Sequence, residues 1–333
     1  MLDKASYWSK ITKNAFLADG YLDLCAQLYA PDAAVHVSAP VGALSGTEAM
    51  ARSLWQPLLA AMPDLERRTD ILLSGSFTNK AGEEGQWFAS TGFFVGHFEA
   101  PLWNIAPTMR PIWLRYGWFD RVVGDRVVES YVILDLARLL IDAGQWPLAP
   151  QLGQSHWPAP MTQDGVALDP ADAAESEKSL KLVEAMIGGL MQYDGRSLAS
   201  MGMVRFWHPQ FHWYGPGGIG SARGHRDYER THQGPFLAAF PDRVGGNHKC
   251  RIGEGAYVAS TGWPSINATH SGDSWLGLPG TGKRITMKVM DFWRRDGDML
   301  AENWVFIDMI DLLEQIGVDV FARVRALNGA NIK

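Results

Sequence analysis

The strand predicted near the end of the chain alternates regularly and finishes in a carboxylate. From residue 302 onward, ENWVFIDMIDLLEQIG follows the period of two expected of a strand and then the spacing of a short helix. The alternation places four side chains on one face: Glu302, Trp304, Phe306 and Asp308. A carboxylate among such neighbours must find hydrogen bonds, reach water or hold its proton at an unusual pH.

The rest of each half of the chain shows helical patterns first and strand patterns afterwards. AFLADGYLDLCAQLY and SLKLVEAMIGGLMQYDGRSLASM predict helices, and each is followed by a loop rich in Gly and Pro and by a helix ending at Pro-Asp. The segments after that alternate as strands. This order predicts an α+β fold in which a curved antiparallel sheet wraps around N-terminal helices. Such a cone encloses a cavity suited to a small molecule.

Three segments of the first half recur in the second half in the same order. QPLLAAMPDLE returns as GPFLAAFPDRV, and WFASTGFFVG returns as YVASTGWPSI, which begins at Tyr257. The third match pairs residues 118–144 with residues 291–317 without a gap, so that Glu129 corresponds to Glu302 and Asp135 to Asp308. A repeat of this length indicates a duplicated domain and not a solenoid.

The duplication divides the chain into two tandem domains and a connection. We expect the first domain over residues 1–150, a linker over 151–174 and the second domain over 175–333. The linker is rich in Pro, Ala and Asp and lacks periodicity until its end, which is typical of a connecting segment.

The order of these segments resembles the SnoaL-like polyketide cyclase family, a branch of the nuclear-transport-factor-2-like (NTF2-like) superfamily of α+β cones. The resemblance lies in LAA-(F/M)-PD, LGLPGTGKRITMKVMDFWR and ENWVFIDMIDLLEQIG, and it is sharper in the second half than in the first. It implies two tandem NTF2-like domains. These motifs identify a fold better than they identify a reaction.

Asp308 is the first candidate for chemistry. In cyclases of the family, an acid in the last strand acts as general acid and base on a bound polyketide, and the resemblance assigns that role to Asp308. An acid among apolar groups has a raised pKa, which suits proton exchange with a carbon next to a carbonyl. The alternative is that Asp308 caps the following helix, although Asp311 is expected to be better placed for capping. Asp135 is the equivalent acid of the first domain.

The two copies differ along one helix. Tyr228, His232 and Phe236 follow each other at intervals of four residues on one face, where the first copy has an apolar stripe of Met50, Leu54 and Leu58. We therefore predict that the second domain carries the chemistry and that His232 takes part, unless it is a satisfied core histidine or points to solvent. The predicted pocket lining is Tyr228, Trp304, Phe306, Glu302 and Tyr257.

Sites for a metal or a nucleotide cofactor are not predicted. His208 and His212 have a usable spacing but no supporting HExxH motif or cysteine partner. GLPGTGKR resembles a phosphate-binding loop, yet the Ser or Thr needed after Lys283 is replaced by Arg284, and a strand follows instead of a helix.

Composition narrows the class of protein. A net charge of −6 argues against nucleic-acid binding, and the two cysteines, Cys25 and Cys250, have no metal or disulfide spacing. No uninterrupted apolar stretch is long enough to span a membrane, and the start of the chain lacks the apolar core of a signal peptide. We expect a cytoplasmic protein.

Two classes of function fit this sequence. The first is an enzyme that acts on a small apolar carbonyl compound by general acid/base chemistry, as an aldol-type cyclase or as an isomerase, dehydratase or hydrolase of the same fold. The second is a non-catalytic ligand-binding or dimerisation module. In that case the two copies would pack through the outer faces of their sheets as an intrachain pseudo-dimer, and further homo-oligomerisation stays open.

Overall fold

The computed structural model describes residues 2–13, 16–79, 82 and 84–331, which form two α+β domains joined by a long connection. The elements of the first domain are α1 (Lys4–Lys13), α2 (Leu17–Leu28), β1 (Tyr29–Val37), β2 (Gly42–Ser45), α3 (Gly46–Met50), α4 (Gln56–Ala61), β3 (Glu66–Thr78), β4 (Glu84–His97), β5 (Pro111–Val123), β6 (Arg126–Leu134) and α5 (Leu136–Asp142).

The second domain repeats this plan. Its elements are α6 (Ala173–Leu190), β7 (Trp207–Tyr214), β8 (Ser221–Arg223), α7 (Gly224–Tyr228), α8 (Gly234–Ala239), β9 (Val244–Gly245), β10 (His248–Glu254), β11 (Tyr257–His270), β12 (Lys283–Asp296), β13 (Met299–Ile307), α9 (Met309–Gln315) and α10 (Val320–Asn331). In both domains a π-helical turn joins the two helices that follow the short second strand, over Ala51–Trp55 and over Glu229–Gln233.

Each domain is built on one curved sheet. The strand order is β2-β1-β6-β5-β4-β3 in the first domain and β10-β11-β12-β13-β7-β8 in the second, with β9 paired to β11. Long neighbouring strands are antiparallel, as predicted, but β1 runs parallel to β6 and β7 runs parallel to β13. In each domain, the first strand of the sheet therefore lies beside the last strand and runs in the same direction.

The two sheets pack against each other through their outer faces. Ile71, Leu73 and Phe119 of the first domain belong to one buried apolar cluster with Phe292 and Phe306 of the second. The rings of Phe119 and Phe292 lie 5.4 Å apart. Burying a side chain of this size contributes about 2 kcal/mol, so the cluster ties the domains firmly together. The chain therefore forms the intrachain pseudo-dimer that the duplication suggested.

The connection between the domains contacts both of them. The indole Nε1 of Trp304 donates to the carbonyl of Pro158 at 2.9 Å, and the hydroxyl of Tyr257 donates to Asp164 at 2.5 Å. The amide of Leu72, on the edge strand of the first domain, donates to the carbonyl of Gly165 at 2.9 Å. The connection thus covers one edge of the seam between the sheets.

Aromatic side chains fill the cone of the first domain. The rings of Trp55 and Trp118 stack 5.8 Å apart, and Phe94 meets Trp55 edge-on at 5.8 Å. Arg67 lies over Tyr116 and Trp118, 5.0 and 5.3 Å from their ring centres. All of these aromatic rings are inaccessible to solvent.

Candidate functional site

A cavity of about 210 Å³ lies inside the cone of the second domain. It is enclosed by α6, by the helical segment from Gly224 to Ala239 and by the inner face of the sheet. Most of its wall is apolar or aromatic, and this part includes Met186, Ile187, Leu190, Trp207, Trp213, Phe236, Leu237, Ile266, Val289, Trp293, Val305 and Ile307. The same wall carries nine polar or titratable side chains, which are Tyr228, His232, Gln233, Arg243, His248, Ser260, Ser265, Asp291 and Asn303.

Asp291 is the carboxylate of this cavity. It lies in the middle of β12, where strand pairing sets it opposite Ser260 on one side and Val305 on the other. Its side chain accepts a long hydrogen bond of 3.3 Å from Asn303 Nδ2. Burial raises the pKa of Asp291 to about 7, against the smaller opposing effects of Asn303 and of the positive charge on Arg251. A carboxyl group with such a pKa can both take and return a proton near neutral pH.

His232 lies on the helical side of the cavity. Its ring stacks on Trp213, with the ring centres 4.0 Å apart and the planes nearly parallel. Burial lowers the pKa of His232 to about 3. The imidazole is therefore neutral at physiological pH, and it can donate or accept a hydrogen bond but carries no charge.

Tyr228 lines the cavity one turn before His232, and their rings lie 5.4 Å apart. Burial raises the pKa of the Tyr228 hydroxyl, and the negative charge of Asp291 raises it further. The hydroxyl therefore stays protonated at neutral pH and can donate a hydrogen bond.

The final strand presents to the cavity the face opposite to the one predicted. Asn303, Val305 and Ile307 line the cavity. Trp304 and Phe306 belong to the apolar cluster between the two sheets. Side chains alternate along the strand as expected, but the face predicted to line the pocket is the one that packs against the other domain. Both faces are buried, so the pattern of apolar residues does not show which face is the inner one.

Glu302 and Tyr257, also predicted for the pocket, lie on this outer face as well. Glu302 is held by Arg294 Nε at 2.5 Å, by the Tyr214 hydroxyl at 3.2 Å and by the amide of Met161 at 3.3 Å. Tyr257 belongs to the cluster between the sheets, and its hydroxyl bonds the connection between the domains. Of the predicted pocket lining, Tyr228 alone borders the cavity.

Asp308 lies at the domain interface and caps α9. Its carboxylate accepts from the amide of Asp311 at 3.2 Å, and across the interface from the amide of Ala39 at 3.0 Å. Lys288 Nζ lies 3.2 Å away. Burial raises the pKa of Asp308 to about 6, with Lys288 opposing. The prediction that Asp311 would be the better cap is wrong, because Asp308 holds the cap position itself.

Asp135 occupies the matching place in the first domain. It caps α5 by accepting from the amide of Arg138 at 3.0 Å, and its two oxygens accept from the amide of Gly217 in the second domain at 3.1 Å. Arg115 Nη1 completes the group at 3.0 Å, and both charged side chains are buried. Each domain thus uses the aspartate at the end of its final strand to hold a loop of the other.

A family model for SnoaL-like polyketide cyclases matches residues 12–142 and, a second time, residues 197–316. The chain belongs to the SnoaL-like polyketide cyclase family. Both of its domains have the NTF2-like fold. A comparison with curated protein sequences finds no match.

Several solved structures are similar to one copy of the SnoaL-like domain. IdmH, a candidate polyketide cyclase from Streptomyces antibioticus, is 21% identical and covers 42% of this chain with 97% of its own, at a TM-score of 0.34. AclR, a candidate hydroxylase from Streptomyces galilaeus, is 23% identical and covers 43% of this chain with 97% of its own, at a TM-score of 0.33. A candidate polyketide cyclase from Acidithiobacillus ferrooxidans is 23% identical and covers 42% of this chain with 94% of its own, at a TM-score of 0.35.

The cavity of the second SnoaL-like domain contains polar groups that were not predicted for the site: Gln233, Arg243, His248, Ser260, Ser265, Asp291, Asn303 and the indole of Trp293. The signal was present in the comparison of the two copies. Residue 291 aligns with Trp118, and residue 233 aligns with Trp55 because the helical segments have equal lengths. A large aromatic residue replaced by a polar one at an inward position indicates that a core has been opened.

Two negative findings complete the description. Within the described ranges, no group of three or more His, Cys, Asp or Glu side chains could hold a metal ion. No helix in those ranges is long and apolar enough to cross a membrane.

Proposed function

We propose that the second domain catalyses proton transfer at a carbon next to a carbonyl group, with Asp291 as the general base and its conjugate acid as the proton donor. The observation that supports this role is a carboxyl group of near-neutral pKa in the wall of an otherwise mostly apolar cavity. Such a group matches what a general base requires at physiological pH.

The reaction begins with a bound ketone. The Asp291 carboxylate takes a proton from the carbon next to the carbonyl, the electron pair of the broken C–H bond forms a carbon–carbon double bond, and the carbonyl oxygen becomes an enolate oxygen. Hydrogen-bond donors in a site shielded from water stabilise such an oxygen. Tyr228, which remains protonated, and neutral His232 lie in the same wall. The enolate carbon then recovers the proton from Asp291, or it forms a bond to a second carbonyl carbon, whose oxygen becomes an alkoxide and takes the proton from Asp291.

The size of the cavity favours proton return over closure of a long chain. Sites for drug-sized ligands usually measure about 300–1,000 Å³. A cavity of about 210 Å³ suits a smaller compound. Isomerisation or dehydration of a small ketone therefore fits better than ring closure of an extended polyketide.

The first domain is assigned a supporting role. Its cone is filled by aromatic rings, and its inner carboxylate, Asp120, accepts hydrogen bonds from Tyr7 at 2.8 Å, Trp118 at 2.8 Å and Ser130 at 2.5 Å. Burial raises the pKa of Asp120 despite these donors, but its oxygens are occupied by them and the surrounding rings leave no room for a substrate beside it. The domain instead contributes the outer sheet face on which the second domain rests.

Solvent-deuterium exchange tests the proposal. β-Tetralone, a bicyclic ketone with an acidic benzylic carbon beside its carbonyl, is incubated with the protein in D₂O, and deuterium incorporation is followed by NMR. We expect exchange above the buffer rate, rising about tenfold per pH unit up to about pH 7 because the base must be ionised. Asp291→Asn is expected to lose at least about a hundredfold of this rate.

The matched control is Asp296→Asn, which changes an exposed aspartate on the same strand. It should exchange at the wild-type rate. Binding of β-tetralone without any catalysed exchange would overturn the enzymatic proposal and leave a ligand-binding module. Equal exchange by wild type and Asp291→Asn would exclude Asp291 as the base.

A further inference from the structure

Three side chains that line the second cavity each carry a buried nitrogen atom with no hydrogen-bond partner among the described residues. These atoms are His232 Nδ1, Gln233 Nε2 and Trp293 Nε1. The side chains of Gln233 and Trp293 are each only 4% exposed. Buried polar groups in native proteins almost always have a partner, so three such atoms around one cavity indicate a ligand that supplies it.

Five other buried polar atoms among the described residues also lack a partner: Trp55 Nε1, Arg138 Nη1, Gln151 Oε1, Arg251 Nε and His270 Nε2. A single unpartnered atom is therefore compatible with a plain core. The second cone differs because three side chains with such atoms, from a helical turn and a strand, line its cavity, which none of the other five does.

The chemistry of the atoms specifies the ligand. An indole N–H and an amide NH₂ only donate hydrogen bonds, so the ligand must present acceptors to Trp293 and Gln233. A neutral imidazole has one donor and one acceptor, and it can serve either kind of ligand atom. The ligand therefore carries oxygen atoms, and the acceptors in question are of the carbonyl or hydroxyl type.

The remaining walls specify its shape. The stacked rings of Trp213 and His232, with Phe236 5.3 Å beyond His232, form an aromatic surface that favours a flat ring. An apolar cavity of about 150 Å³ holds one benzene molecule. The volume of about 210 Å³ here accordingly suits one or two fused rings.

We propose that the substrate is a mono- or bicyclic aromatic ketone whose oxygen atoms accept hydrogen bonds from the Trp293 indole and the Gln233 amide. This assignment rests on the proposed function only in taking the cavity as the substrate site. It names Trp293 and Gln233 as the residues that select for oxygen, whereas Asp291 performs the proton transfer.

Equilibrium binding of a matched pair of probes tests this assignment. Affinities of β-tetralone and of tetralin, the hydrocarbon that lacks the carbonyl oxygen, are measured by isothermal titration calorimetry. Wild type should bind the ketone about tenfold more tightly than the hydrocarbon, since one hydrogen bond contributes on that scale. The preference should fall to about threefold or less in Trp293→Phe and in Gln233→Met.

Trp304→Phe is the matched control, because this indole lies on the neighbouring strand but donates to the carbonyl of Pro158 outside the cavity. It should keep the tenfold preference. Tetralin affinity reports in each variant whether the cavity is intact, and Gln233→Met preserves the test if Trp293→Phe does not fold. A tenfold preference retained in both cavity variants, or no preference in wild type, would overturn the assignment. Equally tight binding of the tricyclic ketone anthrone would overturn the size limit.

The experiments distinguish a failure of the ligand assignment from a failure of the proposed function. Asp291→Asn should keep the preference for β-tetralone while it loses deuterium exchange. Loss of the preference in Trp293→Phe and Gln233→Met, together with no catalysed exchange by wild type, would support the assignment and refute the enzymatic proposal. Catalysed exchange by wild type, together with an unchanged preference in Trp293→Phe and Gln233→Met, would support the enzymatic proposal and refute the ligand assignment.

Discussion

The two domains have the same arrangement of strands and helices but opposite interiors. In the first, Trp55 and Trp118 stack at the centre of the cone. In the second, the positions of these two indoles are taken by Gln233 and Asp291, which border a cavity. At these two inward positions a stacked pair of indoles in a filled core is thus replaced by polar side chains in the wall of a cavity, within the same arrangement of helices and strands.

The acidic residues that the two copies share lie outside the cones. Asp135 and Asp308 occupy the same position of the repeat, and each caps a helix while accepting an amide of the other domain. Glu129 and Glu302 are likewise both bound to an arginine of the neighbouring strand, at 2.8 and 2.5 Å. In this chain, these acidic residues, which are the same in both copies, lie at the domain interface and at helix caps. Residues that differ between the copies line the candidate site.

The largest effect is expected from emptying the first cone. Trp55→Ala should lower the free energy of unfolding by about 3–5 kcal/mol, because a fully buried indole leaves a large cavity. Gln233→Ala, at the equivalent position beside an existing cavity, should cost less than about 1 kcal/mol. Urea unfolding followed by circular dichroism compares the two. Equal costs would mean that the second interior is packed as tightly as the first.

The second-largest effect is expected from removing the cation of an ion pair at the domain interface, and its cost should differ between Arg115–Asp135 and Lys288–Asp308. Arg115→Met leaves Asp135 buried without its cation, which should cost about 3 kcal/mol or more. Lys288→Met should cost about 1 kcal/mol, because Lys288 is 21% exposed and its partner Asp308 keeps two amide donors. The unfolding midpoints of the two variants, measured side by side, decide this. A larger loss for Lys288→Met would contradict the ranking.

A smaller effect, of opposite sign, is expected at Asp291. Burial raises its pKa from 3.8 to about 7, so the folded protein holds this proton more tightly than the unfolded chain. Wild type therefore loses stability as the pH rises from about 4 to about 7. Asparagine cannot ionise, so Asp291→Asn should be more stable than wild type at pH 8, by about 2–4 kcal/mol, and nearly equal to it at pH 4.

Thermal unfolding at the two pH values measures this gain. Asp296→Asn, at an exposed position of the same strand, should show no such pH-dependent difference. An Asp291→Asn variant with the same stability difference at pH 4 and pH 8 would mean that the carboxyl group titrates normally. In that case its suitability as a base at neutral pH would also be lost.

The sequence predicted the duplication, the α+β cones and the alternation of the final strand, because these depend on local periodicity and on comparing the chain with itself. It could not predict which face of the strand looks inward. Glu302, Trp304 and Phe306 read as a pocket wall, but when both faces of a sheet are buried, alternation of side-chain type no longer separates inside from outside. That choice depends on how two distant domains pack.

The site residues on the helical segment were predicted from the sequence, whereas Asp291 on β12 was not. Tyr228 and His232 were found because their counterparts Met50 and Leu54 are apolar, and both line the cavity. The same comparison along β12 would have found Asp291 opposite Trp118. What it could not have given is the pKa of Asp291, since this depends on burial by residues from several elements.

The smallest effect is expected at Asp308, the carboxylate at the end of the final strand. Asp308→Asn should change the rate of deuterium exchange by less than about twofold, measured per amount of folded protein, because its carboxylate faces Ala39, Lys288 and the start of α9, away from the cavity. The asparagine oxygen can still accept the amide of Asp311 and keep the helix cap. Asp291→Asn in the same assay supplies the contrast. A hundredfold loss in Asp308→Asn, with the fold intact by circular dichroism, would move the candidate site from the cone to the seam between the sheets and would make the two domains jointly responsible for it.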